Sequence, residues 1–304
     1  MKQPIKLYPA FQDYLWGGTS LKTTYPDCDM TPIAEAWVLS CHKDGNSTQV
    51  GTGKSLADLI NQHPQWVGER GSRFPFFPIL IKLIDAQKAL SVQVHPDDTY
   101  AMEKEKGFGK TEMWYVLDCK PGATLYYGFK EEISKQEFKN RIENNTLTDV
   151  LEAVQVHKGD VFFIPAGTIH AIGEGMLIAE IQQNSNTTYR LYDYNRRDKE
   201  GNLRPLQIDE ALSVATLTPV PMVGGDGDTL ADCPYFRVRR VQGAAQMQMT
   251  ADSFHAVTVV AGTGRLTADG ETIAFTQGDC FFIPAGDKTY TVAGDATVVV
   301  TDIP

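Results

Sequence analysis

The sequence predicts a mainly β protein that contains two similar β-units. Its clearest sign is a repeated phrase, since GDVFFIPAG begins at Gly159 and GDCFFIPAG begins at Gly278. Each copy places a β-branched and aromatic run, typical of a buried strand, before a proline and a glycine that favour a turn. The 304 residues suffice for two cores, and 26 glycines and 16 prolines separate many short apolar runs. A duplication of this kind predicts two related units.

The part of the chain before the first copy is expected to combine strands and helices. Strands are expected at Ile5 to Pro9, Ala34 to Cys41 and Ile79 to Asp85. Helical insertions are expected at about residues 55–70 and 134–152, where apolar residues recur at helical spacing. Ser55 and Ser134 are the expected N-caps of these helices.

The two copies differ at the position that follows the turn, where the first has His170 and the second has Thr289. A histidine that the turn itself required would be expected in both copies. Its presence in one copy favours a functional role for His170 over that of a buried packing residue. We therefore expect a domain over residues 1–233 that carries a site, and a C-terminal domain over residues 234–304 without one.

Composition limits the possible partners and the location of the protein. A net charge of −10 and a pI near 5.1 argue against nucleic acid as the main partner, although a small anion needs only two or three local cations. The five cysteines are scattered without CxxC spacing, as expected for reduced thiols of a cytoplasmic protein. No apolar run approaches the ~18 residues of a membrane span, so no membrane partner is expected. Composition and motifs predict no particular oligomeric state.

Further polar side chains occur on strands that otherwise look buried. In LSVQVHPDD, Ser91, Gln93 and His95 alternate with valines, so the three polar side chains share one face. In KTEMWYVL, Lys110 and Glu112 also share a face, and the interval after His95 leaves room for a loop and an antiparallel return strand. These residues are expected to meet between neighbouring strands.

A divalent ion such as Zn²⁺ suits the side chains that this pattern brings together with His170. Catalytic zinc usually takes three strong protein ligands and leaves a position open for water or substrate. His95, Glu112 and His170 would supply those three ligands, and Gln93 would be a weaker fourth.

Several motifs carry a resemblance to known proteins. G-x5-P-x-G-x2-H, from Gly159 to His170, resembles the second motif of the cupin barrels, and the Gln-x-His pair with Glu112 resembles the first. VQVHPDD, KTEMWYVL, GTIHAIG and TTYRLYDYNR, in this order, resemble the short bacterial form of the class I mannose-6-phosphate isomerases. The resemblance covers residues 1–304. It implies two cupin-type β-barrels (jelly rolls), of which the second is degenerate and lacks the metal site.

The resemblance also implies an activity and a cofactor. It implies a zinc-dependent enzyme that interconverts D-mannose 6-phosphate and D-fructose 6-phosphate, so its partner is a sugar phosphate. One zinc ion per chain would be bound by His95, Glu112 and His170, with Gln93 also in the coordination sphere.

Two further residues fall on active-site positions of that family. Arg190 matches its active-site arginine, and Lys110 matches the lysine two residues before the zinc glutamate. Two positions depart from the family pattern, because Asn186 stands where many relatives carry Asp and Gly109 stands where the longer enzymes carry His. Arg190 could brace a developing oxyanion or the substrate phosphate, and Lys110 could act as a base or bind phosphate.

Two other interpretations of the same ligand set remain. A cupin dioxygenase that uses iron would employ two histidines and a carboxylate in the same way, but it leaves TTYRLYDYNR and Lys110 unexplained. A non-catalytic sugar-binding cupin would hold a structural metal, which the restriction of the polar site to one unit argues against.

Overall fold

The computed structural model describes residues 3–197, 200–222, 224–225 and 227–304. Strands hold 43% of the residues and helices 16%, which confirms the prediction of a mainly β protein. The predicted domain over residues 1–233 includes positions outside this described part, at its N-terminus and between residues 198 and 226. None of the helices formed by the described residues is long and apolar enough to cross a membrane.

The elements alternate between short strands and short helices in the first two thirds of the chain and are strands thereafter. The first fifteen strands are β1 Ile5–Tyr8, β2 Ala10–Gln12, β3 Glu35–Leu39, β4 Cys41–His42, β5 Gly45–Asn46, β6 Thr48–Gln49, β7 Ile79–Ala86, β8 Val92–Val94, β9 Glu112–Cys119, β10 Thr124–Phe129, β11 Leu151–Gln155, β12 Val161–Ile164, β13 His170–Ala171, β14 Met176–Gln183 and β15 Tyr189–Tyr192. The later strands are β16 Thr229–Cys233, β17 Phe236–Gln242, β18 Ala245–Met249, β19 His255–Ala268, β20 Glu271–Thr276, β21 Cys280–Ile283 and β22 Lys288–Asp302. The α-helices are α1 Ser20–Thr24, α2 Leu56–Gln62, α3 Gly68–Gly71, α4 Asp98–Lys104, α5 Lys135–Glu143 and α6 Ile208–Val214.

Two antiparallel sheets face each other in the first two thirds of the chain. The larger has the order β12-β9-β14-β7-β3-β2, and the smaller has the order β11-β10-β13-β8-β15. Apolar side chains of both sheets fill the space between them, among them Trp114 and Ile178 from the larger sheet and Leu125 and Tyr127 from the smaller. Helices α5 and α6 cover the outer face of the smaller sheet. Residues that point between the two sheets are therefore shielded from water on both sides.

Strands β4 and β5 form a two-stranded sheet of their own, and the remaining strands form one nine-stranded sheet. Its order is β16-β17-β22-β19-β21-β1-β6, with β18 paired to β22 and β20 paired to β19. Strand β1 pairs with β21, so that Ile5 lies opposite Phe282. The sheet that holds residues 234–304 thus also includes three strands from before residue 234. No closed barrel is found among the described residues, so the division into two barrels stays a prediction.

The outer face of the larger sheet packs against the nine-stranded sheet. Phe77, Phe254 and Phe282 meet at this contact, with ring centroids 5.2 Å apart between Phe254 and each of its two neighbours. Alternation along β21 turns the adjacent Phe281 to the opposite side, into a separate core formed by β19, β21 and β22. Strand β21 therefore contributes to both cores.

The first predicted helical insertion is broken into three short helices. Ser55 caps α2 as expected, because its hydroxyl accepts a hydrogen bond from the Asp58 amide at 3.0 Å. The α-helix ends at Gln62, and a 3-10 turn begins at Pro64, whose ring nitrogen cannot donate a helical hydrogen bond. Gly68 then takes a φ of 79°, which starts a new short helix, α3.

The second predicted insertion is shorter than expected. Ser134 caps α5 as predicted, but the helix ends at Glu143, and Asn145 takes a left-handed φ of 56°. The extension of the helix to residue 152 is wrong, because strand β11 begins at Leu151, which lies opposite Phe129 of β10. Pairing with a neighbouring strand therefore determined the structure of this segment, in spite of the helical spacing of its apolar residues.

The two copies of the repeated phrase form equivalent strands, β12 and β21, but differ after the turn. Gly167 takes a φ of 86° in the first turn, as the prediction of a glycine-dependent turn requires. In the first copy His170 is buried and points between the two facing sheets. In the second copy Thr289 is exposed, and its neighbour Tyr290 is the buried residue. The two units therefore differ at this position both in residue type and in side-chain direction, since the side chain is buried in the first unit and exposed in the second.

Replacement of Phe254 by Ala is expected to destabilise the contact between the larger sheet and the nine-stranded sheet. Its ring is fully buried, and removal of such a ring typically costs about 3–5 kcal/mol. Phe76→Ala is the control, since Phe76 is 50% exposed and should cost no more than about 1 kcal/mol. Urea denaturation followed by circular dichroism measures both. Equal midpoints for the two variants would contradict this role of Phe254 in the contact.

Candidate metal centre and active site

Three predicted ligands meet between the two facing sheets. His95 follows β8, Glu112 begins β9, and His170 begins β13, opposite Gln93 of β8. One ligand atom from each of His95, Glu112 and His170 lies within 4.8 Å of the other two. All three residues are buried. Among the residues that the structure describes, these are the three His, Cys, Asp or Glu side chains that lie close enough together to hold a metal ion.

Backbone carbonyls fix the tautomers of both histidines. His95 Nδ1 lies 2.8 Å from the carbonyl oxygen of Thr187, and His170 Nδ1 lies 2.9 Å from that of Thr168. A carbonyl oxygen only accepts hydrogen bonds, so each Nδ1 carries the proton. Burial lowers the pKa of His170 to about 4 and the pKa of His95 well below its usual range, so both rings are neutral near pH 7. Each ring thus directs an Nε2 lone pair at Glu112, the arrangement that metal-binding histidines adopt.

The Glu112 carboxylate faces these lone pairs at short range. Its Oε1 lies 3.2 Å from His170 Nε2 and its Oε2 lies 3.7 Å from His95 Nε2, while neither oxygen makes a hydrogen bond of normal geometry. Burial raises the pKa of Glu112 to about 7 in spite of the opposing effect of Lys110. Three electron-rich groups that point at one another form a site that a cation would stabilise. The residues present therefore fit a divalent metal ion.

Gln93 and Lys110 border the same cluster. The Gln93 side-chain amide lies 3.4 Å from His170 Nε2, close enough for its oxygen to become a ligand when the amide turns. Lys110 Nζ lies 2.7 Å from Glu112 Oε2 and donates to His95 Nε2 at 3.0 Å. All the predicted metal and catalytic residues other than Arg190 thus lie within one connected set of contacts.

Three further charged residues belong to this site, and none of them was predicted from the sequence. Glu180 of β14 lies with its Oε1 4.0 Å from Lys110 Nζ and 3.5 Å from Lys82 Nζ, and its Oε2 accepts a hydrogen bond from Trp114. Lys82 of β7 also lies 3.5 Å from Glu35 of β3. The buried charges Glu35, Lys82, Glu180, Lys110 and Glu112 therefore alternate in sign across four neighbouring strands of the larger sheet.

The alternating charges determine the protonation states of Glu180 and Lys82. Burial alone would raise the pKa of Glu180, but Lys110 and Lys82 outweigh this effect and lower it. Burial would lower the pKa of Lys82, but Glu35 and Glu180 raise it. Glu180 is thus a carboxylate and Lys82 an ammonium at neutral pH. A signal for both was present in the sequence, because each is a charge in the middle of a largely apolar strand, ILIKLIDA and MLIAEIQQ.

A cavity of about 240 Å³ opens onto this set of charges. Its walls include the side chains of Tyr14, Trp16, Glu35, Lys82, Ile84, Leu90, Ser91, Gln93, Lys110, Ile172, Glu180, Asn186, Thr188, Arg190 and Arg204. Arg190 lies on β15 opposite Gln93, as its predicted place near the metal ligands requires. Burial and the neighbouring Arg204 lower the pKa of Arg190. The cavity thus joins the candidate metal centre to a region that contains two arginines.

Asn186 and Gly109, the two departures from the family pattern, lie near the cavity or beside the site. Asn186 lines the cavity and donates a hydrogen bond to Asp44 at 3.2 Å. Gly109 lies against the backbone of Pro96 to Asp98, where a β-carbon on residue 109 would come within 2.5 Å of the Asp97 backbone. A larger residue at position 109 would need a different backbone path, so this chain offers no side chain in that place.

Two family models match the chain. The model described as the catalytic domain of type I phosphomannose isomerase matches residues 5–122, and the model described as the cupin domain of mannose-6-phosphate isomerase matches residues 227–303. Together with the buried His-Glu-His cluster, these matches place the chain among cupin-type proteins with a candidate metal site.

The relatives define the family more closely. The chain is 36% identical to the mannose-6-phosphate isomerase of Streptococcus mutans over 99% of this chain and 98% of the relative, and 36% identical to mannose-6-phosphate isomerase ManA of Bacillus subtilis over 99% of both. The crystal structure of a Bacillus subtilis mannose 6-phosphate isomerase superposes with a TM-score of 0.90 over 99% of both chains at 34% identity. The chain therefore belongs to the mannose-6-phosphate isomerase family.

Replacement of His170 by Ala is expected to abolish metal binding without unfolding the protein. The variant loses one of two imidazole ligands, while the two facing sheets keep their apolar core. Metal content after dialysis measures the first effect and circular dichroism the second. His157→Ala is the control, because His157 lies on the surface with 70% of its side chain exposed. A His170→Ala variant that kept one tightly bound ion per chain would show that the ligands are elsewhere.

Proposed function

We propose that the chain catalyses the interconversion of D-mannose 6-phosphate and D-fructose 6-phosphate. The observation that carries the proposal is a buried His-Glu-His cluster in contact with Gln93 and Lys110, which line a cavity together with the ionised Glu180, in a chain of the mannose-6-phosphate isomerase family. The reaction moves a proton between C1 and C2 of an open-chain sugar, so it needs a base and a means of stabilising negative charge on oxygen. The cavity contains candidates for both.

We infer that the metal is zinc, one ion per chain, with His95, Glu112 and His170 as ligands and Gln93 as a fourth. Two neutral imidazoles and a carboxylate are a ligand set that catalytic zinc favours, and an amide oxygen binds more weakly and can yield to substrate. When bound, zinc supplies Lewis-acid stabilisation of the sugar oxygens. The hydrogen bonds from the histidines to Thr187 and Thr168 would hold both rings in the required orientation.

We propose that Glu180 and Lys110 handle the proton. Glu180 is buried, ionised, and has an oxygen without a hydrogen bond at the cavity wall, as a general base requires. Lys110 Nζ lies 4.0 Å from that oxygen, so the ammonium can compensate the charge that shifts to the enediolate oxygen while Glu180 holds the proton taken from C2. Arg190, which is permanently charged, would add a second donor to the same developing charge.

The alternation of charges favours the isomerase over the other two functions considered for this ligand set. An iron dioxygenase and a non-catalytic sugar-binding protein both need the metal ligands. Neither needs buried lysines and carboxylates that alternate in sign beside those ligands. Buried charges of this kind are costly unless they are paired, and they cluster at sites where proton transfer occurs.

The purified enzyme is expected to form fructose 6-phosphate from mannose 6-phosphate in a coupled assay. In D₂O, the product should carry deuterium at C1 to the extent that the proton held by the base exchanges with solvent before it returns, and substrate labelled with deuterium at C2 should pass the rest of its label to C1. Treatment with a chelator should remove the activity, and Zn²⁺ should restore it. Label at C2 of the substrate that was neither lost to solvent nor passed to C1 would contradict an enediolate, and an absence of turnover would contradict the proposed function.

Replacement of Glu180 by Gln is expected to lower kcat by about 10²–10⁴ while metal content is unchanged, since the amide keeps the shape but cannot take a proton. Glu174→Gln is the matched control, because Glu174 is exposed and pairs with Lys120 on the surface. Steady-state kinetics on mannose 6-phosphate measure both variants. A Glu180→Gln variant with nearly normal kcat would transfer the role of base to Lys110.

A further inference from the structure

The cavity has a second arginine, which has no part in the proposed chemistry. Arg204 precedes α6, and its side chain lines the cavity together with Ser91 and Arg190. Ser91, directly before β8, donates a hydrogen bond to the Gln93 side-chain oxygen at 3.4 Å, so this wall of the cavity begins beside the candidate metal centre. Neither a proton-transfer nor a metal-binding role is proposed for Arg204 itself.

Hydrogen bonds fix the segment that carries Arg204 beside β15. The backbone of Arg190 exchanges two hydrogen bonds with Gln207, at 3.0 Å to its side-chain oxygen and 2.9 Å from its amide. The Arg190 guanidinium also donates to the carbonyl of Pro205 at 3.2 Å. Pro205 directly follows Arg204, and Gln207 lies three positions after Arg204. The guanidinium of Arg204 is thus held near that of Arg190 even though the two charges repel each other.

Asp193, an acidic neighbour of this region, already forms ion pairs with arginines. Asp193 is 5% exposed, and its Oδ1 accepts hydrogen bonds from Arg196, which is itself tied to the carbonyl of Ala89. Its Oδ2 lies 3.4 Å from Arg204 Nη1 but forms no hydrogen bond of normal geometry. Two guanidiniums, those of Arg196 and Arg204, therefore pair with one carboxylate, and that of Arg190 lies near enough to interact with it electrostatically. The region carries an excess of positive charge that an anion would neutralise.

We propose that Arg204 binds the phosphate group of the substrate and so selects phosphorylated sugars over free sugars. The inference rests on the proposed isomerase function and deepens it. A phosphate monoester carries nearly two negative charges at neutral pH and accepts paired hydrogen bonds from a guanidinium fork. The chemistry at C1 and C2 leaves the phosphate unchanged, so Arg204 contributes equally to the bound substrate and to the transition state. Its removal then affects KM and leaves kcat nearly unchanged.

The test compares the wild-type holoenzyme with Arg204→Gln, Arg204→Lys and the control Arg197→Gln. Arg197 lies in the same segment and donates to the carbonyl of Gly201, but it does not line the cavity. The measurements are KM and kcat for mannose 6-phosphate, metal content, and the affinity for inorganic phosphate, both as an inhibitor and from the rise in melting temperature that it causes.

Arg204→Gln should raise KM and weaken phosphate binding by about 10- to 100-fold, with kcat within about threefold and metal content unchanged. Arg204→Lys should recover part of the affinity, since it keeps the charge without the fork, and Arg197→Gln should resemble the wild type. Unchanged KM and phosphate affinity in Arg204→Gln, or equal losses in Arg197→Gln, would overturn the inference. Wild-type protein that bound phosphate through Arg204 without converting mannose 6-phosphate would support the inference and contradict the proposed function instead.

Discussion

The site depends on the mutual approach of three electron-rich groups that are buried from water. The Nε2 lone pairs of His95 and His170 and the carboxylate of Glu112 point at one another because the backbone carbonyls of Thr187 and Thr168 hold the opposite nitrogen of each ring. Without a positive charge between them, such groups repel each other at low dielectric constant. In the structure the ammonium of Lys110 partly fulfils that need, at 2.7 Å from Glu112 and 3.0 Å from His95. Much of the surrounding arrangement of charge follows from this constraint.

Alternation of charge extends the same principle across the larger sheet. Lys82 lies between the carboxylates of Glu35 and Glu180, and Lys110 lies between those of Glu180 and Glu112. A buried charge without a partner costs several kcal/mol, so each member depends on its neighbours and replacement of one affects the others. In the proposed reaction this arrangement would provide preorganisation, because charges fixed by a rigid sheet need no rearrangement when charge develops on a bound sugar. The larger sheet thus provides both the frame of the domain and the electrostatic surface of the site.

The sequence predicted which side chains meet at the candidate site better than it predicted the architecture. Alternation located Gln93, Lys110 and Glu112 on inward faces, and the difference between the two copies of the repeat singled out His170, because both signals depend on local rules of strand geometry. Single buried charges such as Glu180 and Lys82 escaped detection because their partners come from strands far away in the chain. The helix expected up to residue 152 failed for a similar reason, since the pairing of Leu151 with Phe129 is a tertiary contact. The pairing of β1 with β21 has no local signal at all.

That pairing links the order of synthesis to the completion of the fold. Ile5 leaves the ribosome long before its partner Phe282. Until β21 is made, β1 has an unpaired edge, and the outer face of the larger sheet lacks the apolar surface that covers it. Contacts so distant in sequence slow folding and expose the nascent chain to association with other chains. Final folding of the part of the chain that holds the candidate site therefore waits for the synthesis of β21, which lies in the unit that has no equivalent of His170.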